Sequence, residues 1–294
     1  YTLMEKIFKD AKEPLYGRND RVLKLFPFPT YVLKEILKDH KPDFIPEDLL
    51  ALYTFTGGIP KYIELFMDAH AVNMEQMVDF MVRPDSPFMD EGNTLLIQEF
   101  GKKYGNYFSI LSAIADGDNT LPDLEGRLGI SPGGYLKRLE EDYNLVHKKR
   151  PILSKEGTQK VRFEISDPFL RFWFRYFQKY QSLIQIRNFK GLASIIKNDY
   201  ATYSGWMLEE YFKQRMIESG DFLHIGSWWE SKGEANEIDI VGIYLFEKKA
   251  LVAEVKRQRK NFKPELFQKK VETLRNKVLS KFEIESKCLT MEDM

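Results

Sequence analysis

Two short runs near the end of the chain limit its fold more than any other feature: Glu237-Ile238-Asp239-Ile240-Val241 and Leu251-Val252-Ala253-Glu254-Val255-Lys256. Both alternate, as half-buried strands do. Residues two apart on a strand point to one side of the sheet, so Glu254 and Lys256 share a face. Ile238 and Ile240 frame Asp239 as the polar side of the first strand; Glu237 is the alternative acid there. Gly233 to Asn236 reads as a polar turn before that strand, and Gly242 as its cap.

An Asp opposite a Glu-x-Lys suits a divalent cation and a phosphodiester. Asp239 and Glu254 supply hard oxygen ligands, and Lys256 orients water and offsets phosphate charge. The bland alternative is a solvated sheet face. A basic run follows: Lys256, Arg257, Arg259, Lys260, Lys263, Lys269, Lys270, Arg275, Lys277 and Lys281, opposed only by Glu265 and Glu272, or about +8 over residues 256–281. Such a run suits a polyanion, with Lys260 and Lys270 holding its backbone. The pattern resembles the PD-(D/E)xK nuclease superfamily. That resemblance implies a core of helix, three strands, helix, strand. Tyr203–Glu218, Phe222–Trp229, the two runs, a helix opened by Pro264 and a strand at Cys288–Thr290 supply it in that order. It also implies Mg2+ as cofactor, Glu209 as an assisting acid on the first helix, and Gln268 as a supporting polar group.

The chain has 294 residues, 43% hydrophobic and 14% aromatic, enough for several domains with real cores. Its net charge is zero, so nucleic-acid affinity must come from local patches. Cys288 is the single cysteine, which excludes an internal disulfide and makes a cytoplasmic protein the expectation. No apolar run approaches the ~18 residues that span a membrane.

Residues 86–165 read as a winged helix-turn-helix. Helices at Glu91–Phe100, Tyr104–Ala115 and Leu121–Leu128 lead to a turn at Gly129-Ile130. Ser131 as N-cap and Pro132 at the first helical position open a recognition helix that runs to Tyr143. Leu145–Lys148 and Val161–Ile165 make the wing. Tyr135, Lys137 and Arg138 would face a groove in nucleic acid, DNA by preference. Glu140, Glu141 and Asp142 on the same helix repel phosphate, so a protein-binding role stands beside it. Asp167-Pro168 then opens an aromatic helix that packs between domains, with Arg171 and Arg175 able to meet a phosphate instead.

Residues 1–85 hold Pro14-Leu15-Tyr16-Gly17-Arg18, Leu25-Phe26-Pro27-Phe28 and Thr56-Gly57-Gly58-Ile59-Pro60 among short helices at Thr30–Lys38, Pro46–Phe55, Lys61–Asp68 and Met74–Val82. A helical turn at Met4–Phe8 and a strand at Val22–Leu25 precede them. The segment resembles the helical lid of an AAA+ ATPase of the archaeal or STAND-like type. The resemblance implies that Pro60 packs on an adenine base and that Arg18 senses phosphate or a subunit interface. Gly-Gly-x-Pro is equally an ordinary helix stop and start. No Gly-x-x-x-x-Gly-Lys-Ser/Thr occurs, so ATP binding is expected only in a full-length protein with an N-terminal ATPase core.

The expected fold is a multidomain α plus α/β chain. A lid (1–85), a winged helix (86–165), an aromatic linker helix (166–189) and a restriction-endonuclease-like mixed sheet flanked by helices (190–294) follow one another. The whole resembles the C-terminal part of a bacterial or archaeal AAA+ ATPase whose last domain has no assigned activity. Two functions fit: Mg2+-dependent hydrolysis of DNA, or a catalytically silent DNA- or protein-binding module switched by the ATPase core. A monomer and an oligomeric ring are both open.

Overall fold

The computed structural model describes residues 8, 11–18, 20–21, 23, 25–100, 104–155, 157–158, 160–230 and 236–294, with backbone alone at 93–95 and 97–99. The turn expected at Met4–Phe8, the strand at Val22–Leu25 and the polar turn at Gly233–Asn236 lie wholly or partly outside them.

Four helices open the described chain: α1 (Thr30–His40), α2 (Pro46–Thr56), α3 (Pro60–Asp68) and α4 (Met74–Met81). Pro46 stands in the first turn of α2 with Glu47 and Asp48, and Asp48 accepts from the Ile45 amide (3.0 Å) and Lys41 Nζ (2.7 Å). This satisfies a free amide and sets negative charge against the positive helix end. Thr30 is the first residue of α1, after Pro29 at the cap. Its amide and Oγ1 donate to Glu218 (2.9 and 2.5 Å), tying α1 to a helix far along the chain. Between α2 and α3, Gly58 takes a positive φ of 81° and its carbonyl accepts from the Phe28 amide (2.7 Å). A Cβ there would strike the Phe28 carbonyl, so this turn requires glycine.

Next come α5 (Pro87–Phe100), α6 (Tyr104–Asp116), α7 (Leu121–Leu128), α8 (Gly133–Glu141) and an antiparallel hairpin, β1 (Val146–Lys149) with β2 (Arg162–Ile165). Thr120 caps α7 and Gly129 ends it in the left-handed region. The start of α8 departs from expectation. Pro132 occupies the cap position, no side chain caps the helix, and it stops at Glu141 rather than Tyr143. Two glycines in its first turn give little intrinsic support to an earlier start.

Asp167 caps α9 (Pro168–Trp173) by accepting from the Leu170 amide (2.8 Å), and a π-helical turn follows at Phe174–Gln178. Phe172, Trp173, Phe174, Tyr176 and Phe177 are all buried. Phe172 meets Phe55 of α2, Phe174 meets Phe108 of α6, and the Trp173 indole donates to the Met89 carbonyl (2.9 Å). Burial of five large rings makes this segment the hub of the main core. Arg175 pairs with Asp199 (2.7 Å) and Arg171 lies 3.4 Å over the Trp206 ring, so both are engaged within the protein.

A short α10 (Gln181–Gln185) leads to α11 (Phe189–Ser219), which begins well before the expected Tyr203. Its buried residues Leu192, Ile196, Tyr200, Tyr203, Met207 and Tyr211 recur every three or four positions, one continuous stripe. The sheet has order β3 (Phe222–Trp229), β4 (Glu237–Tyr244), β5 (Lys249–Lys256), β6 (Glu283–Thr290). β3–β4 and β4–β5 are antiparallel, while β5–β6 is parallel through the crossover helix α12 (Pro264–Lys277). β6 starts at Glu283, earlier than expected.

Ile240, Leu251, Ala253 and Val255 join the core that α11 shares with the helices before it. Val241, Ile243, Ala250 and Val252 join a second core with Phe267, Val271 and Leu274 of α12. The sheet is therefore a middle layer, buried on both faces. Gly242 lies within β4 rather than ending it; a Cβ there would collide with Met216 and Phe222. Trp228 and Trp229 are both buried, although adjacent strand residues point to opposite faces.

Candidate functional site

The site arises where β4 and β5 part company. Their register runs from Ile243↔Ala250 to Ile240↔Ala253 and stops. Beyond it Glu254, Val255 and Lys256 pair only with Cys288, Leu289 and Thr290 of β6. The Val255 amide loses its strand partner there and donates to Asp239 Oδ2 instead (2.8 Å). The carboxylate thus does the work of a missing backbone carbonyl.

A break in strand register aims Asp239 into this gap. Gly226 opposes Val241 and Trp228 opposes Ile238, so two steps on β3 face three on β4. The extra residue is a bulge, and bulges re-aim side chains. Its mark is visible in the packing: Ile238 lies in the α12-side core and Ile240 in the α11-side core. The simple alternation that framed Asp239 between two like-facing isoleucines does not hold. Ser227 Oγ closes the bulge by donating to the Asp239 carbonyl (2.7 Å).

Around the gap, Lys256 Nζ stands 3.0 Å from Glu254 Oε1, 3.6 Å from Asp239 Oδ2 and 3.0 Å from the Val255 carbonyl. Three oxygens from two strands therefore converge on one positive centre. The lysine side chain is 31% exposed, so the cluster opens to solvent on that side. Lys270 of α12 contacts Glu254 from the other side (3.1 and 3.3 Å). Sequence reasoning had set Lys270 on a substrate-binding surface. Its place beside the inward-facing Phe267, Val271 and Leu274 on α12 is the signal that could have drawn it inside. Arg257, next along the chain, hydrogen-bonds Ser204 of α11 and pairs with Glu47 of α2 (2.5 Å), so the strand end is anchored to the N-terminal helices.

Glu209 lies near this group on α11 but is not joined to it. Among the described residues it has no hydrogen bond and no ion pair. Burial, then the charge of Asp239, push its carboxyl up to about 8. Asp239 is also raised. Burial drives it up, against the Val255 amide and Lys256, and Glu254 adds to the rise. Lys256 is raised, the nearby carboxylates outweighing its own burial. Burial is the leading cause for both acids, with the charge of Asp239 adding to it at Glu209 and that of Glu254 at Asp239. Glu237 is excluded from the group because Arg162 holds both its oxygens (2.5 and 3.2 Å).

Two carboxylate oxygens and a backbone carbonyl already gathered around an ammonium form an oxygen donor set of the kind Mg2+ uses. Among the described residues no three His, Cys, Asp or Glu side chains are spaced to ring one ion, so any such site rests on Asp239, Glu254 and the Val255 carbonyl, with water completing it.

The remaining expected site residues lie apart. Tyr135 is half-buried, edge-on to Tyr107 and hydrogen-bonded to Asn106 (2.6 Å). Lys137 pairs loosely with Glu141 (3.7 Å) on the exposed side of α8, and Arg138 is hydrogen-bonded to Tyr107. Lys260 sits exposed on a 3-10 turn at Arg259–Asn261. Pro60 is exposed in the first turn of α3, and Arg18 is exposed in an N-terminal loop. No helix among the described residues is long and apolar enough to cross a membrane.

Residues 173–276, from the aromatic hub through α12, match the DUF234 family, described as archaeal and bacterial proteins of unknown function. The chain is also similar to the uncharacterized protein MJECL04 of Methanocaldococcus jannaschii, with 35% identity over 257 residues, or 83% of this chain. That stretch covers 55% of the relative, so the chain spans about half the length of the curated protein it matches. No solved structure matches. The chain is thus similar to archaeal and bacterial proteins of unassigned activity, and the similarity takes in both the helical region and the sheet that carries the charged gap.

Proposed function

We propose that residues 190–294 hydrolyse phosphodiesters with a divalent cation, and that DNA is the substrate. The convergence of Asp239, Glu254 and the Val255 carbonyl on one positive centre carries this reading. Those groups would hold Mg2+, which would supply Lewis-acid polarisation of the scissile phosphate. Asp239 is kept in place by the Val255 amide, and Glu254 by Lys270. Lys256 is long and partly exposed, so it can leave the carboxylates and meet a phosphate oxygen or the attacking water. The AAA+ lid resemblance of residues 1–85 fits an ATPase-gated role for the longer protein.

The second reading is a silent binding module. It is favoured by the charge already present: Lys256 and Lys270 both contact Glu254, and Glu140, Glu141 and Asp142 crowd the end of α8.

Incubating the chain with single- and double-stranded DNA and Mg2+ or Mn2+, beside Asp239→Asn and Lys256→Ala, separates the two. Cleavage lost in both variants supports hydrolysis. No cleavage by the parent, with DNA retarded in a salt-sensitive way, supports the binding module.

A further inference from the structure

The hairpin β1–β2 is not a free wing. The Ile152 amide donates to the Ser227 carbonyl on β3 (2.9 Å), and Ile152 packs in the α12-side core with Trp228. Arg162 reaches across to Glu237 and lies 4.5 Å over the Trp229 ring. The hairpin thus covers the outer edge of the sheet, which otherwise would offer unpaired backbone groups.

This docking leaves a cleft of about 770 Å³ between the hairpin, the first turn of α7 and the end of β3. Lys148, Arg150, Lys160 and Arg162 line it, with Glu230 as the one acid among the described lining residues. The charges are unevenly matched. Glu230 is already paired with Lys277 and Asn236, Lys148 with Glu140, and Arg162 with Glu237. Among the described residues, Arg150 and Lys160 are thus the lining cations without an ion pair, Lys160 interacting with Glu230 through charge alone. Its other wall is apolar: Leu121 is 39% exposed, and Pro122, Val161 and Phe163 continue the surface. A cleft of this size suits a small ligand. An apolar wall facing unpaired cations suits a flat, weakly polar group joined to an anion. Double helix does not fit that description, because its base faces are stacked away from the phosphates.

We infer that this cleft binds a nucleotide unit, with phosphate on Arg150 and Lys160 and an unstacked base against Leu121, Pro122 and Val161. The unit can come from single-stranded nucleic acid or from a free nucleotide. Stacking with an electrostatic track is the usual basis of sequence-tolerant single-strand binding. The inference stands apart from hydrolysis. Glu237, held by Arg162 at the cleft, is only two residues from Asp239, so a strand bound here would lead toward the charged gap if that gap is catalytic.

The test is equilibrium binding in EDTA, where no metal-dependent cleavage can occur. Fluorescence anisotropy of a labelled oligothymidine of about ten nucleotides is measured for the parent and for Arg150→Glu/Lys160→Glu, with unlabelled ADP as competitor. Both side chains are partly or fully exposed, so the double variant should fold, which circular dichroism checks. The expected result is binding weakened about tenfold or more by the double reversal, and weakened in the parent by salt. A Leu121→Ala variant should also bind more weakly. Competition by ADP at similar concentration identifies a free nucleotide as the occupant; failure of ADP to compete identifies the strand. Parent and reversal variant binding alike, or neither binding the oligonucleotide or ADP, overturns the inference. Absence of Mg2+- or Mn2+-dependent DNA cleavage by the parent, with this binding intact, would remove hydrolysis and leave the cleft.

Discussion

Two clusters of acids and lysines sit within the same fold and are treated in opposite ways. One lies where the hairpin meets α11. There Glu164 is buried and contacts Lys149 (3.0 Å) and His147 (3.5 Å), and Lys149 also approaches Glu210, which pairs with Lys213 (2.8 Å). Burial works to raise the Glu164 carboxyl, but His147, Lys149 and Lys213 outweigh it and leave it well below the usual range. The other cluster is the gap between β4 and β5. Burial keeps Asp239 above the usual range there despite Lys256 and Lys270, and Glu209 despite Lys213 and Lys149. The first cluster is a balanced joint between parts of the protein. The second gathers two carboxylates and a lysine at an opening to solvent, and desolvation rather than pairing sets the level of Asp239.

The largest expected effect breaks the balanced joint. Glu164→Ala removes the buried acid that half-buried Lys149 contacts, leaving Lys149 only its longer approach to Glu210, and should cost about 3 kcal/mol in denaturant unfolding at neutral pH. Asp239→Asn should behave differently: it removes a carboxylate that burial already disfavours and keeps an acceptor for the Val255 amide. Its stability should stay within about 1 kcal/mol of the parent. Equal, large losses in both variants would erase the distinction between the clusters.

Divalent ions sharpen it next. At a hundredfold excess over Kd, Mg2+ or Mn2+ should add about 2.7 kcal/mol to the parent's stability through binding to the folded state alone. Asp239→Asn and Glu254→Gln should gain nothing. Thermal unfolding with and without the ion reads the difference.

The clusters should also respond to pH with opposite signs. Glu164 is depressed in the folded state, so its contribution is present above an unfolded value of about 4.5 and lost as pH falls below it. Glu209 is raised, to about 8. The folded chain then holds a proton that the unfolded chain has released, and stability declines as pH rises from about 4.5 toward 8. Glu209→Gln should remove that decline, seen by unfolding the pair of proteins across this range. The smallest effect belongs to the surface. Lys137→Ala breaks an exposed pair with Glu141 and should change stability by about 0.5 kcal/mol or less.

Strand existence and the shared face of Glu254 and Lys256 were legible because a period of two survives on β5. The aim of Asp239 was not, because a bulge depends on how β3 is registered against β4 and leaves no mark in β4 itself. Trp228 and Trp229 illustrate the same limit: alternation exposes one of them, but hairpin docking buries both. The length of α11 was hidden by Gly191 and a polar Lys197-Asn198-Asp199 stretch that reads as loop. Lys270 was assigned by its charge among other cations, whereas its neighbours on α12 decide which way it points. α8 starts one residue later than the Ser-Pro signal placed it, with Pro132 already in helical backbone dihedrals and no side-chain cap.

The most direct test of cation binding at the β4–β5 gap is calorimetric titration of Mn2+ into the chain and into Asp239→Asn. The account predicts a single site in the parent that vanishes in the variant. Absence of binding to the parent, or equal binding to both, would contradict it.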